Sequence, residues 1–211
     1  MKFLYLYICM CFVSVFSYAQ EVTLINPSFE GIPRASSIPE GWKSCDDADQ
    51  SPADTEPSPA FEVTKKASDG DTYLGLVTRY HGTTEGVSQE LLGKILHKDT
   101  TYCMDIDMYC SNEKRAFNPR DLRYRNTKAP YTNPTRLRIW GGNDICDPKE
   151  LLYESELIEN RKWKTYSFTF KPRGDYRFIS LEATFDVIDE YYNGNLMIDD
   201  IELRSCEGFA K

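Results

Sequence analysis

The feature that most constrains this chain is a two-residue alternation of apolar and polar side chains that returns in several short segments. In "TYCMDIDMYC", Tyr102, Met104, Ile106 and Met108 fall on one face, and the residues between them fall on the other. The segments "TYLGLV", "TRLRIW", "KTYSFTF", "ISLEATF" and "LMIDDIEL" predict further strands. Such strands have one core face and one wetter face, which is typical of antiparallel sheets. We therefore predict an all-β, antiparallel β-sandwich.

One segment, "GVSQELLGKIL", has a spacing that also fits a short helix. Gly residues bracket its first half, and β segments lie on both sides of it. We favour a strand from about Gly86 to Leu91.

The first nineteen residues, "MKFLYLYICMCFVSVFSYA", have the pattern of a secretory signal that is cleaved before Gln20. Their apolar run of about sixteen residues is shorter than the roughly 20 that a membrane span needs. No second apolar run follows, so we predict no membrane span. Residues 20–211 are predicted to form one exported domain, which lies in the periplasm, at the cell surface or outside the cell.

The charge of the chain excludes two classes of partner. Its formal net charge is −8, and loss of Lys2 with the signal makes the mature chain more acidic still. Nucleic-acid binding depends on Lys and Arg side chains that neutralise phosphates, and an anionic membrane attracts basic segments. We therefore expect neither partner.

Five cysteines remain after cleavage, and export permits disulfides. An odd number leaves at least one thiol free or paired between chains. Cys103 and Cys110 fall on opposite faces of one strand and should not pair with each other, while the remaining connectivity is open. No C-x-x-C pair is present, which disfavours zinc. The five are Cys45, Cys103, Cys110, Cys146 and Cys206.

Two stretches look irregular. Residues 44–59 are acidic and rich in proline, which predicts a loop. Residues 111–134 form a long, proline-broken stretch in which Lys and Arg outnumber the acidic residues. Long loops in compact domains are often functional, so Tyr124 and Arg125 are candidates for contact with an anionic sugar, a cell-surface polymer or a protein. The alternative is a solvated insertion.

Nothing in the chain indicates catalysis. Only two histidines are present, His81 and His97, and no G-x-S-x-G motif occurs. A pair of carboxylates of glycosidase type is a non-specific signal in so acidic a chain. We therefore predict a protein that is not an enzyme.

A sugar site needs an aromatic platform for the apolar face of the ring and polar side chains for its hydroxyls. Trp140 lies at a strand end, on the face opposite Leu137 and Ile139, and Asn143 and Asp144 follow it closely. We predict these three residues, Trp140, Asn143 and Asp144, to bind ligand; the alternative for Trp140 is a packing role. Trp42 and Trp163 are predicted to be core residues.

Calcium is the candidate metal, because a hard cation is bound by clustered oxygen ligands. Glu30 lies in a turn near the start of the mature chain, and the adjacent Asp199 and Asp200 interrupt the apolar last strand. An unpaired buried carboxylate is costly, so a cation held between the first and last segments would explain them. The alternative is a bulge that turns one aspartate to water.

The order of several motifs resembles a known family. "LINPSFEG", "IPEGW", "ASDGDTYLGLVTR", "GVSQEL", "TTYCMDIDMYC", "RKWKTYSFTFKP" and "LMIDDIEL" follow one another as in carbohydrate-binding modules of the family 4, 9 and 22 type. These are galactose-binding-like jelly rolls, and the chain is most similar to those of secreted and cell-surface Bacteroidetes proteins. The resemblance implies that Glu30 and Asp199, or Asp200 in its place, help to hold a structural calcium ion.

The resemblance leaves two functional hypotheses. The first is an exported, non-catalytic module that recognises a glycan or cell-surface polymer. The second is a structural or adhesion subunit of a surface assembly, associated with gliding or type IX secretion, that binds a surface protein. We expect no attached catalytic or sorting domain, which favours a free-standing binder. Fold alone does not decide between the two hypotheses.

Overall fold

A computed structural model of the chain describes residues 22–46, 51–186 and 191–206. The predicted signal segment, 1–19, lies outside the described residues. No helix among the described residues is long and apolar enough to cross a membrane. The described part of the chain contains twelve strands: β1 (Lys43–Ser44), β2 (Asp54–Glu56), β3 (Tyr73–Thr78), β4 (Gly86–Glu90), β5 (Tyr102–Cys110), β6 (Arg115–Ala116), β7 (Ala129–Pro130), β8 (Arg136–Gly142), β9 (Pro148–Glu154), β10 (Lys164–Phe170), β11 (Phe178–Thr184) and β12 (Gly194–Ser205).

The strands form two five-stranded antiparallel sheets that pack face to face. The front sheet has the order β1-β4-β11-β8-β9, and the back sheet has the order β10-β5-β12-β3-β2. A separate two-stranded sheet pairs β6 with β7. The predicted all-β, jelly-roll sandwich is confirmed, and so is a strand rather than a helix at Gly86–Glu90.

The core lies between the two sheets and is built by the predicted alternation. On β5 the buried face is Tyr102, Met104, Ile106 and Met108, which packs with Leu137 and Ile139 of β8 in one cluster. The residues that alternate with these along each strand point to the outer face of the sheet, because successive side chains of a strand point to opposite faces. The parity that buries Ile139 therefore places Trp140 on the outer face of the front sheet.

The first and last segments of the chain meet, as the calcium hypothesis required. The amide of Ile201 in β12 donates to the carbonyl of Pro27 at 3.1 Å. Phe29 is fully buried, and its ring lies 5.1 Å from that of Trp42, which is 3% exposed. The turn in "LINPSFEG" thus delivers an aromatic plug to the core, and Trp42 is a core residue as predicted. Trp163 is only half-buried, against the rings of Tyr73 and Tyr109.

Three stretches differ from their predictions. The stretch predicted as a loop at 44–59 contains the buried edge strand β2, and it overlaps the end of β1. The prediction of a loop at β2 was wrong because all three residues of this strand are polar, so no alternation of apolar and polar side chains marks it. The long stretch 111–134 contains β6, β7 and a single 3-10 turn over Leu122–Tyr124. β9 was not predicted at all, because exposed and buried residues do not alternate along it.

The cysteines of the described residues form two disulfides, each of which lies within one sheet. Cys45, after β1, pairs with Cys146 in the β8–β9 turn of the front sheet. Cys103 on β5 pairs with Cys206, which follows β12 in the back sheet. Cys110 is free and buried, which fits the expected unpaired thiol and the predicted lack of a Cys103–Cys110 bond.

Candidate functional site

A shallow cleft crosses the outer face of the front sheet and has a volume of about 170 Å³. We call it the front cleft. One end is closed by the Cys45–Cys146 disulfide together with Pro148, and the indole of Trp140 forms part of its lining. The other lining residues are Thr84, Gly86, Ser180, Leu181 and Glu182.

Trp140 is held in place by a hydrogen bond to its neighbour across the sheet. Its indole Nε1–H donates to Glu182 Oε2 at 2.8 Å, and the hydroxyl of Thr84 lies 3.3 Å from Glu182 Oε1. The hydrogen bond from its Nε1–H holds the half-buried indole in one orientation. An aromatic face beside a carboxylate can stack on the apolar side of a sugar ring and accept hydrogen bonds from its hydroxyls.

Hydroxyl groups line the strands next to Trp140. Ser180 pairs directly with Trp140 across the β11–β8 register, and its Oγ donates to Ser88 Oγ on β4 at 2.9 Å. On the other side, Leu151 of β9 faces Trp140 and is 40% exposed. The outer face therefore offers an apolar side and a polar side around one indole ring.

The structure separates the other sequence-predicted ligand residues from Trp140. Asn143 and Asp144 lie exposed in the β8–β9 turn, close in sequence to Cys146 at the disulfide end of the front cleft, and they do not line the cleft. Asp144 Oδ1 accepts a hydrogen bond from its neighbour's amide at 2.8 Å. Tyr124 packs against the small apolar cluster of Val77, Ala116, Ala129 and Tyr131, and Arg125 is exposed next to it in the chain.

Two of the three predicted metal residues, Glu30 and Asp199, contact one segment, residues 68–72. Glu30 Oε1 accepts hydrogen bonds from the amides of Asp71 and Thr72, at 3.0 and 3.4 Å. Asp199 Oδ2 accepts from the amides of Ser68 and Asp69, at 2.7 and 3.0 Å. The opening turn and the last strand therefore grip the same loop from two sides.

Gly70 lies between these contacts, and no other residue type fits at this position. Its φ is +63°, and a Cβ at this position would lie 2.0 Å from Glu30 Oε1. The carboxylate occupies the space that a side chain would need.

Asp199 is fully buried and sits at a bulge in the β12–β5 register. Burial raises the pKa of Asp199 to about 7, although backbone amides of residues 68, 69 and 200 donate to it and lower the pKa. Asp200 is exposed and has a φ of +45°. The partial burial of its carboxyl group, together with the negative charges of Asp69, Asp107 and Glu202, raises its pKa. The bulge that we gave as the alternative is present, and Asp200 is the aspartate that it turns to water, while Asp199 stays buried.

Within residues 22–46, 51–186 and 191–206, no three His, Cys, Asp or Glu side chains are arranged as a metal cluster. Two carboxylates, Glu30 and Asp199, reach one five-residue loop, and a third, Asp200, adds charge beside it.

A second and larger cavity, of about 330 Å³, lies where the 111–134 stretch covers the edge of the back sheet. We call it the loop pocket. Sequence reasoning missed it because its polar groups come from four separate parts of the chain. Its lining includes Asp54, Arg79, Glu85, Lys114 and Arg120, along with Phe61, Phe117 and Tyr131.

Buried charges form the base of the loop pocket. Lys114, which is 2% exposed, contacts the carboxylate of Asp54, lies 3.5 Å from Glu56 Oε1 and stacks over the ring of Phe61 at 4.2 Å. Arg79 contacts the carboxylate of Glu85. Removing charges from water is expensive, and these pairs repay part of that cost. The sequence signalled this pocket only through a basic residue, Lys114, in the 111–134 stretch and through the acidic stretch 44–59, which we predicted to be a loop.

No family model matches the chain, and none of the curated proteins matches it. Among solved structures, a cyclase from Fischerella sp. TAU is 16% identical over 89% of this chain and 97% of its own, with a TM-score of 0.56. The K3 adhesin domain of Lys-gingipain from Porphyromonas gingivalis W83 is 14% identical over 89% of this chain and 99% of its own, with a TM-score of 0.53. The xylan-binding CBM22-1 domain from Paenibacillus barcinonensis Xyn10C is 14% identical over 89% and 97%, with a TM-score of 0.49. At such identities, the first two likenesses show a shared fold.

Proposed function

We propose that this protein is an exported, non-catalytic module that binds carbohydrate in the front cleft. The observation that carries the proposal is the preorganised indole of Trp140, which faces outwards beside the Glu182 carboxylate and the Ser180 hydroxyl. Shallow, open sites with one aromatic platform suit a sugar chain that lies across a sheet, because only one face of each ring has to be covered. The disulfide at one end limits how far such a chain could extend in that direction.

Two disulfides support export, since such bonds persist in oxidising compartments. The fold does not decide between binding and catalysis, because one neighbour is described as a cyclase and another as an adhesin domain. Non-catalytic binding is favoured by the front cleft itself, which is small and open and lacks histidine among its lining residues.

The test is binding of the mature chain to a panel of neutral polysaccharides, by affinity electrophoresis and calorimetry. We expect Trp140→Ala to weaken binding by about tenfold or more, because stacking on the indole is lost. Tyr191→Ala is the matched control, since Tyr191 is an exposed aromatic that lines neither the front cleft nor the loop pocket. Equal losses in both variants, or no binding of the unaltered chain to any polysaccharide, would rule the proposal out.

The second candidate function is adhesion to a surface protein. Leu122 and Phe117 are 66% and 69% exposed in the same stretch, and exposed apolar side chains of this kind occur at interaction surfaces. Absence of glycan binding in the panel, together with saturable binding of a defined surface protein that Leu122→Ser abolishes, would favour this function.

We further propose that a calcium ion is held by Glu30, Asp199 and Asp200. The support is the set of carboxylates around the β12 bulge: burial raises the pKa of Asp199 and Asp200, and the negative charges of their neighbours raise it further. A cation there would offset this repulsion and join the opening turn, the 68–72 loop and the last strand. Its role would be structural, because these residues do not line the front cleft.

A further inference from the structure

Lys114 and two carboxylates form a buried group at the base of the loop pocket. The ammonium nitrogen of Lys114 contacts Oδ2 of Asp54 and lies 3.5 Å from Oε1 of Glu56. The exposed fractions of these three side chains are 3%, 4% and 0%. Asp54 and Glu56 both face the lysine because residues two apart on a strand share one face, and both belong to β2. An amine and a carboxyl group are therefore held in contact away from bulk water.

The charges of this group and of its neighbour do not cancel. Glu85 and Arg79 form the adjacent buried pair, so three carboxylates face two cations, and the set would carry one net negative charge if all five groups were ionised. An uncompensated buried charge is costly, and such a group takes up a proton instead. Burial raises the pKa of Glu56 to about 7, although the charge of Lys114 lowers it. Glu56 can therefore accept and release a proton near neutral pH.

The other contacts of the group suit a reaction between the amine and the carboxyl carbon. The amide of Ser36 donates to Oδ1 of Asp54 at 2.6 Å, which leaves Oδ2 as the oxygen that faces the lysine. Neither carboxylate oxygen of Glu56 has a hydrogen-bond partner among the described residues, so both are open to a proton. The ring of Phe61 lies 4.2 Å from Nζ of Lys114 and covers it.

We propose that Lys114 and Asp54 condense into an isopeptide bond, with Glu56 as the group that carries the protons. Nζ bonds to Cγ of Asp54, and the bond from Cγ to Oδ2 breaks. Oδ2 leaves as water with two of the three ammonium protons, which Glu56 relays one at a time, while the third proton stays on the amide nitrogen. Glu56 ends as it began, and no further reactant is consumed. The amide of Ser36 stabilises the negative charge that develops on Oδ1.

The rate of this condensation is set by two opposing effects. Groups held in contact react as if at an effective concentration of up to about 10⁵–10⁸ M. Burial opposes the charge of Lys114, but the surrounding carboxylates outweigh burial and raise its pKa. The ion pair is therefore the commoner state, and only the uncharged amine is a nucleophile. The bond should form slowly in the folded chain, so that ion-paired chain is present beside the cross-linked product.

The bond would fasten the 111–134 stretch to the back sheet. It joins β2 to the residue that precedes β6, across a sequence separation of 60 residues. Like a disulfide, a cross-link of this kind restricts the unfolded chain. Unlike a disulfide, it is not opened by a reductant. This role is separate from ligand binding in the front cleft, because neither Lys114 nor Asp54 lines that cleft.

The test is the intact mass of the reduced mature chain during incubation at neutral pH, followed by digestion and tandem mass spectrometry. We expect a species that is lighter than the sequence by one water molecule and whose share grows with time. Digestion should yield one peptide in which the segments around Asp54 and Lys114 are joined. The exposed pair of Lys128 and Glu62 is the matched control within the same spectrum and should stay unlinked.

Two variants test the chemistry of the bond. Glu56→Gln should slow its formation by about a hundredfold or more, because a carboxamide cannot relay the protons. Asp54→Asn should release ammonia in place of water, because the amide nitrogen then leaves instead of Oδ2. Equal rates in Glu56→Gln and the unaltered chain would overturn the role of Glu56.

The unaltered chain decides the main question, whether or not the variants fold. A chain that keeps its full mass throughout the incubation would overturn the isopeptide bond. So would a loss of water that maps to residues other than Asp54 and Lys114.

Discussion

Replacement of Lys114 by Met tests the charge network at the base of the loop pocket. The methionine side chain keeps most of the length and volume of lysine but removes its charge. Lys114 is 2% exposed and contacts Asp54, with Glu56 Oε1 at 3.5 Å and Glu85 also influenced by its charge. Without the cation, buried carboxylates remain with no partner of opposite sign at this position.

The expected size follows from the burial. Breaking a buried ion pair by removal of one partner costs about 3–5 kcal/mol of unfolding free energy, because the other charge is left desolvated.

The loss of stability in Lys114→Met should depend on pH. Burial raises the pKa of Glu56 from 4.5 to about 7, and Lys114 is the main group that lowers it. A raised pKa in the folded state means that Glu56 destabilises the fold as the pH rises through that pKa.

The variant should therefore lose more stability at pH 8 than at pH 5, where Glu56 is protonated in both proteins. A further rise in the pKa of Glu56 adds at most about 1.4 kcal/mol to this difference at pH 8, because Glu56 with a pKa above 8 would stay protonated at that pH. The assay is urea unfolding at the two pH values, followed by tryptophan fluorescence. Lys128→Met is the control. Lys128 lies in the same stretch as Lys114 but forms an exposed pair with Glu62, so its replacement should change the free energy of unfolding little.

A loss below about 1 kcal/mol at pH 8, the upper value for surface pairs, would refute the reasoning. So would a loss in Lys114→Met that is the same at both pH values, because the carboxylates would then not be responding to the missing cation.

Two further predictions concern stability. Addition of a chelator should lower the melting temperature and calcium should restore it, since a ligand that binds only the folded state stabilises that state. Glu30→Ala should remove this response. A melting temperature that does not change with chelator would contradict the calcium site. The double replacement Cys45→Ser with Cys146→Ser should cost about 2–4 kcal/mol in chemical unfolding, because it frees a long loop in the unfolded chain; unchanged unfolding would show that the disulfide constrains little.

Alternation along the strands was sufficient to predict the sandwich and the outward position of Trp140. Both follow from the geometry of single strands: once Leu137 and Ile139 are core residues, parity leaves Trp140 no other face. The approach of the opening turn to the last strand was also predictable, because Asp199 and Asp200 needed an explanation inside an apolar segment. The loop that Glu30 and Asp199 share could not be deduced, since it depends on backbone amides rather than on side-chain type.

The loop pocket could not be predicted, and the reason is physical. β2 consists of Asp54, Thr55 and Glu56, which have the composition of a solvated loop; they are buried because Lys114, sixty residues away, lies over them. Pairing of charges at long range leaves no periodic signal. The same limit applies to the disulfides, because five cysteines allow several connectivities and only the fold brings Cys45 to Cys146.

The two disulfides interleave along the chain, and this has a mechanical consequence when a pulling force acts on the protein. With Cys45 linked to Cys146 and Cys103 linked to Cys206, a pulling force need not run through the whole polypeptide. The shortest covalent route from Cys45 to Cys206 crosses both bridges and the roughly 40 residues from Cys103 to Cys146, which extend to about 140 Å. The unbridged chain of roughly 160 residues would extend to about 540 Å. Even when fully unfolded by force, the domain would therefore behave as a short tether, and reduction of either bridge would lengthen it.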